Sequence, residues 1–373
     1  MKKKVAFVFF DDIHHIQHFV GIASELSKNN DYQVDIITYP GEHDYLKSLI
    51  QLMGGDAISL VEVFTRKVRQ LIDKVKKRKR PSPLFLTKHN RKLMSSYDAL
   101  VFTDFKTNYF DKKNNTKFIY INHGSGDGAY GYKTENLEIF DLLLLAGEKI
   151  IERAYAEGMK KVNYKIIGYS KFDVTQAEYN EPHLFNNNNK TVLYNPHNKI
   201  DLSSWYKHGL EVLEFFYTHK EYNLIFAPHI NLFNHKYYLS PDILDKKYFE
   251  ADNIHMDTGS NNSSNMTYTL SADVYLGDVS SQVYEFLFKR KPCLFLNSHN
   301  VNWIDNPSYL HWGFGKVLSE TTDLDSQLLN IDEEHKNYID IQNKYFNKTF
   351  DINPELSSSK RGAKEITDYL NTF

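Results

Sequence analysis

Lys4-Val5-Ala6-Phe7-Val8-Phe9-Phe10, answered further on by Tyr32-Gln33-Val34-Asp35-Ile36-Ile37-Thr38-Tyr39, decides the fold class. The first run is apolar without alternation, as expected of a strand buried on both faces of a parallel sheet. Asp11-Asp12-Ile13-His14-His15 turns the chain, Ile16–Lys28 carries apolar residues at helical spacing, and Pro40-Gly41 ends the second run. Strand, helix and strand make one β-α-β unit. The alternation continues through Ala99–Thr103, Lys117–Asn122 and Leu142–Ala146, and Ile166-Ile167-Gly168-Tyr169 closes this half. Asn186–Lys190 has the polarity of a loop between domains. Beyond it the pattern restarts, with strands at Thr191–Asn195, Asn223–Ala227, Val274–Leu276 and Pro292–Leu296 and helices at Trp205–His219 and Ser281–Lys289. Strands alternating with helices predict parallel sheets with right-handed crossovers. The expectation is an α/β chain of two Rossmann-like lobes whose parallel sheets face a central cleft.

Composition agrees with this division. The chain has 373 residues, about twice a usual domain, with 41% hydrophobic and 25% charged residues, as in globular proteins. A formal net charge of −2 gives no global field for nucleic acid, so no nucleic-acid partner is expected. The local exception is Lys74-Val75-Lys76-Lys77-Arg78-Lys79-Arg80, six cations in seven residues, which reads as a solvated surface or a contact for an anionic membrane. Cys293 is the single cysteine, so no internal disulfide forms and a reducing, cytoplasmic setting is expected. The basic, apolar N-terminus meets Asp11-Asp12 within a few residues and lacks a small-residue cleavage site, which argues for a first strand over a signal peptide. No stretch approaches the 18 apolar residues of a membrane span.

Four constellations carry chemistry. Asn122-His123-Gly124-Ser125-Gly126-Asp127-Gly128-Ala129-Tyr130-Gly131 follows directly on a strand, where open α/β sheets bind ligands. Its glycines permit close backbone approach, and an imidazole at the strand end takes a proton near neutral pH. The spacing is neither the dinucleotide fingerprint nor a phosphate loop. Asn195-Pro196-His197 and Ala227-Pro228-His229 repeat one plan, a strand that runs into Pro-His. Each proline ends its ladder, leaving a histidine above the sheet edge. Gly277-Asp278-Val279-Ser280-Ser281-Gln282-Val283-Tyr284-Glu285 is a strand end followed by two serines that open a helix. Ser280 or Ser281 is a good N-cap, and a helix start favours an anion. Glu285, one turn in, is suited to ribose hydroxyls. His14 and His18 share a helix face, but no Cys or carboxylate completes a zinc pattern, so a metal is not expected. His14 or His15 reads instead as an acceptor-side contact.

Together these segments resemble the CDP-glycerol glycerophosphotransferases, the family that polymerises teichoic acids and related capsules. The resemblance rests on His123-Gly124, Gly168-Tyr169-Ser170-Lys171-Phe172-Asp173, Pro196-His197, Pro228-His229 and Asp278–Ser281, and it spans about half the chain. Ser170 replaces a common proline, Glu285 a common aspartate, and Gly-Ser-Gly-Asp the usual residues after His123, which marks a divergent branch. The resemblance implies a GT-B architecture, with 1–178 an acceptor-side lobe, 179–350 a nucleotide-donor lobe and 351–373 a closing helix. It implies transfer of a polyol phosphate from a CDP-activated donor to a polyol-phosphate, glycan or lipid-linked acceptor, with no cofactor besides that donor substrate and no catalytic metal. The expected catalytic residues are His123 as base, Asp127 to orient it, and His229 on the departing nucleotide. Donor contacts are expected from Gly124, His197, Asp278, Ser280, Ser281, Gln282 and Glu285. Two alternatives stay open: a glycosyltransferase or nucleotide-sugar 2-epimerase using a UDP- or CMP-sugar, and a non-catalytic binding module. The expected setting is the cytoplasm, peripheral to the inner face of the cell membrane.

Overall fold

The computed structural model describes residues 2–75, 81–105, 115–128, 134–233 and 239–373. Within them the chain divides into two compact units, one made of Met1–His123, Tyr132–Glu178 and Asn347–Phe373, the other of Gly124–Gly131 and Tyr179–Phe346.

Seven strands among the described residues form the first sheet: β1 (Lys3–Phe9), β2 (Tyr32–Thr38), β3 (Ser59–Glu62), β4 (Ala99–Phe102), β5 (Lys117–Ile121), β6 (Leu142–Leu145) and β7 (Tyr164–Ile166). Their order is β3-β2-β1-β4-β5-β6-β7, and every pairing is parallel. The unalternating apolar runs have a direct cause. Side chains of a strand point alternately to opposite faces, and each face here carries its own core. Val5, Phe7 and Phe9 of β1 join one cluster with Val101 and Leu144, whereas Ala6 and Val8 join the other with Leu100 and Leu143. The C-terminal helix Ser358–Leu370 supplies Ala363, Ile366 and Leu370 to the first of these clusters, so the tail completes the core of the first unit.

The second sheet contains β8 (Lys190–Asn195), β9 (Tyr222–Phe226), β10 (Ile254–Met256), β11 (Val274–Gly277), β12 (Cys293–Leu296) and β13 (Lys316–Leu318). Its order, β10-β9-β8-β11-β12-β13, repeats the plan of the first, again all parallel. The helix Trp205–Thr218 covers one face with Trp205, Val212, Leu213 and Phe216. In both sheets the order reverses beside the first strand. Crevices at the carboxyl ends of strands therefore open at β1/β4 and at β8/β11.

Three strands escape the sequence reading. β3, β10 and β13 are three or four residues long and lie at sheet edges, where a short segment needs no continuous apolar run. The asparagine run is not a linker between the units. It lies inside the second, tied down by Asn189 Nδ2 to the Lys220 carbonyl (2.8 Å) and by Asn223 Nδ2 to Asn187 Oδ1 (2.8 Å). The helix expected over 281–289 is only Gln282–Phe286. In the basic run, residues 76–80 lie outside the described residues. The helix Lys67–Val75 that leads into it exposes Leu71, Ile72 and Val75, with Phe64 exposed just before. Among the described residues, no helix is long and apolar enough to cross a membrane.

Candidate functional site

In the second unit, the switch point gathers the motifs around Asp278. Register pairs Gly277 with Asn195, so the Asp278 turn and the Pro196-His197 turn leave the sheet side by side. Asp278 is 1% exposed, and its carboxylate accepts the His197 N–H (2.9 Å), the Val279 N–H (2.6 Å), and both the N–H (2.5 Å) and the hydroxyl (2.8 Å) of Ser204. Burial raises this carboxyl above the usual range, while the surrounding donors pull it down. A carboxylate so fully engaged organises loops.

The two Pro-His turns use one device twice. The Lys199 N–H donates to His197 Nδ1 (3.0 Å), and the Asn231 N–H donates to His229 Nδ1 (3.2 Å). An Nδ1 that accepts carries no proton, so each ring holds its proton on Nε2 and is a neutral N–H donor. The His229 N–H donates to the Pro196 carbonyl (3.0 Å), and the ring centroids stand 5.4 Å apart. Burial, then the neighbouring His229 and Lys199, press the His197 pKa down to about 3. The pair therefore offers hydrogen bonds to an anion rather than formal charge.

Ser280, Ser281 and Gln282 follow, each half-exposed. Ser281 is the N-cap residue, but its hydroxyl makes no cap bond. Ser280 Oγ instead accepts the Gln282 N–H (3.3 Å). Gln282 Nε2 donates to the Ser263 carbonyl (2.9 Å), and Glu285 is buried. A five-residue helix has a weak dipole, so any anion here depends on hydroxyls and backbone N–H groups more than on the expected helix terminus. The glycine loop lies on this turn. Gly124 has φ +67°, and a Cβ there would come within 3.3 Å of Ser281 Oγ; one on Gly126 would come within 3.0 Å of Ser281 Cβ. The positive φ at Gly124 favours glycine, and a side chain at either position would press on Ser281.

Asp127, in the same loop, accepts from the Tyr284 hydroxyl (2.8 Å) and from the His311 backbone N–H (3.0 Å) and Nδ1 (2.9 Å). His311 Nε2 and Trp312 Nε1 both donate to the Asp278 carbonyl, at 3.0 and 2.9 Å. His311 thus bridges the Asp127 carboxylate and the Asp278 carbonyl. These bonds give Asp127 a clamping role within the second unit.

The first unit assembles a second cluster. The rings of His15 and His123 lie tilted with centroids 4.1 Å apart, His14 lies 4.4 Å from His15, and His18 lies 6.3 Å from His123. His15 Nδ1 bonds Thr103 Oγ1 (2.9 Å) at the end of β4. Burial, followed by Lys171, His123 and His14, holds the His18 pKa well below the ordinary histidine value. Among the described residues, these imidazoles do not form a group whose ligating atoms lie within 4.8 Å of one another. A small recess lies alongside at the β1/β4 switch point, lined by Asp11, Thr87, Thr103 and Asp104 among others.

No protein-family model matches the chain, and no curated protein does. Solved structures do. The wall teichoic acid polymerase TagF soaked with CDPG is similar at a TM-score of 0.61 and 16% identity, over 99% of this chain and 88% of that one. The S. aureus MnaA–UDP co-structure reaches 0.64 at 13% identity, over 100% and 98%. The UDP-GlcNAc 2-epimerase from Neisseria meningitidis bound to UDP-GlcNAc reaches 0.57 at 14%, over the whole of both chains. The fold is GT-B.

Within this GT-B fold, the residues that sequence reading missed are His311, Trp312, Tyr284 and Ser204. His311-Trp312 lies on an irregular 3-10 segment, Pro307–Phe314, with no strand end to mark it. The Gly168–Asp173 motif is a joint in the first unit. Gly168 has φ +81°, and Asp173 accepts the Ser359 N–H (2.6 Å) at the start of the C-terminal helix.

Proposed function

We propose that this chain transfers a glycerol-phosphate or related polyol-phosphate unit from a CDP-activated donor to a hydroxyl acceptor in cell-surface polymer synthesis. The observation that carries the reading is the serine turn Ser280-Ser281 at the β8/β11 switch point, approached by Gly124 and Gly126 and flanked by two histidines with protonated Nε2. Hydroxyls, imidazole N–H groups and glycine backbone form a neutral donor set suited to a pyrophosphate. Phosphoryl transfer needs mainly positioning and charge stabilisation, which such a set supplies without a resident cofactor. In this reading Ser280 and Ser281 hold the pyrophosphate, and His197 and His229 donate to the oxygens on which charge builds as the nucleotide departs. Gln282 and Glu285 serve the nucleoside side. His123, in the cluster beside Thr103 and the Asp11–Asp104 recess, takes the proton of the acceptor hydroxyl, whose oxygen then attacks phosphorus. A UDP-sugar transferase or 2-epimerase is the second reading, favoured by the likeness to the UDP and UDP-GlcNAc complexes.

Replacing Ser280 and Ser281 together by alanine is expected to weaken binding of CDP-glycerol by roughly 2–3 kcal/mol, the loss of two hydrogen bonds to a charged group. Titration calorimetry reads this directly, with UDP-GlcNAc as the parallel ligand. Undiminished affinity in a folded double variant removes the cradle. Tighter binding of UDP-GlcNAc than of CDP-glycerol selects the second reading.

We also propose that the segment around 64–80 contacts an anionic membrane surface. Exposed Phe64, Leu71, Ile72 and Val75 stand next to the six cations of 74–80, an apolar and basic combination suited to lipid headgroups. Co-sedimentation with phosphatidylserine vesicles is expected to fall with added salt and on replacing the cations by glutamine. Protein that stays in the supernatant at low salt rules this contact out.

A further inference from the structure

His219 ends the helix Trp205–Thr218 as its C-cap residue, Glu221 follows in the turn into β9, and Asp325 lies in the first turn of the helix Leu324–Leu329. One ring nitrogen of His219 and one oxygen from each carboxylate lie within 4.8 Å of one another, the single such group of three among the described residues. The imidazole is held by its own surroundings. Its ring stacks on Phe215 with centroids 4.1 Å apart, and Nδ1 reaches the Phe215 carbonyl at 2.8 Å. A carbonyl only accepts, so Nδ1 carries the proton and Nε2 keeps its lone pair. An Nδ1–H bonded to a backbone carbonyl is the arrangement that orients metal-ligating histidines.

Electrostatics point the same way. The last turn of the 14-residue helix contains no basic residue, and its C-terminal end bears partial negative charge. Two carboxylates are added to that end, and neither forms an ion pair among the described residues. The adjacent Lys220 turns away from them, with Nζ on Asn253 Oδ1 (3.0 Å) and over the Tyr217 ring (4.5 Å). A divalent cation satisfies both carboxylates and the helix end together.

We propose that His219 Nε2, Glu221 and Asp325 form a divalent-cation site, with one imidazole and two carboxylate ligands completed by water. Mixed nitrogen and oxygen donors of this kind suit Zn²⁺ better than Mg²⁺ or Ca²⁺, which prefer oxygen alone. The site precedes β9, whereas Pro228-His229 follows it, so roughly 17 Å of strand separates the two. The ion serves structure, joining the end of one helix to the start of another, and is independent of the proposed transfer reaction.

Zn²⁺ titration of metal-free full-length protein tests this, comparing wild type with His219→Gln and Glu221→Gln. Wild type is expected to bind one more equivalent than His219→Gln, or to bind that equivalent at least tenfold more tightly, and Zn²⁺ is expected to raise the unfolding temperature of wild type alone. Zinc held by the His14–His123 cluster would be unchanged in both variants and so cancels in the comparison. Identical zinc stoichiometry and affinity in wild type and His219→Gln overturns the site. So does Mg²⁺ binding as strong as Zn²⁺ and indifferent to His219→Gln, which identifies a plain acidic patch. Should His219→Gln fail to fold, the same comparison is made with Glu221→Gln, an exposed position.

Discussion

His123→Ala is expected to lower turnover by about 10²–10⁴-fold at saturating substrates while leaving donor affinity close to wild type. The asymmetry follows from where the groups sit. His123 belongs to the imidazole cluster of the first unit, with His15, His14 and His18, whereas the serine turn and the Pro-His pair belong to the second. A base acts on the acceptor hydroxyl, so its removal costs the chemical step and not the grip on the nucleotide. His229→Ala is expected to differ, losing donor affinity and turnover together, because its Nε2–H is assigned to the departing nucleotide. Steady-state kinetics combined with calorimetric donor binding separate the two patterns. A His123→Ala enzyme that keeps a third of wild-type turnover would falsify the assignment and shift attention to His14 and His15. Loss of donor binding in both variants would overturn this division of roles.

Asp278→Ala carries the largest expected loss of stability, about 3–5 kcal/mol. The substitution leaves the N–H groups of His197, Ser204 and Val279 and the Ser204 hydroxyl without their acceptor, all in a 1% exposed position. Asp278→Asn should cost less, because one oxygen still accepts and the burial that disfavours the charged carboxyl no longer matters. Denaturant unfolding of the second unit measures the difference. An alanine variant within 1 kcal/mol of wild type would remove Asp278 from its central role. Donor binding should fall in parallel, since Asp278 sets both the Pro196-His197 turn and the start of the serine turn.

The division between what sequence determined and what required the tertiary structure follows range. Parallel sheets were legible because central strands such as Leu142–Leu145 face a core on both sides, which writes an unbroken apolar run into the chain. Strand-end loops were legible for a related reason, since Pro196, Pro228 and the glycines after His123 stop the ladder locally. The edge strands β3, β10 and β13 were not, because three or four residues at a sheet edge carry too little periodicity to read. Nor does local sequence show that His14, His15 and His18 meet His123 across more than a hundred residues, or that Asp127 is clasped by His311 from 184 residues away. The helix after Ser281 runs for only five residues, with Val283, Tyr284 and Phe286 buried, and the capping pattern that announced its start did not give its length. Sequence determined which backbone stretches become strands and where they stop, since those are matters of local burial and turn chemistry. The partners of each polar side chain at the strand ends were settled by strand order, which puts β8 beside β11 and β1 beside β4 and so decides which loops share a crevice.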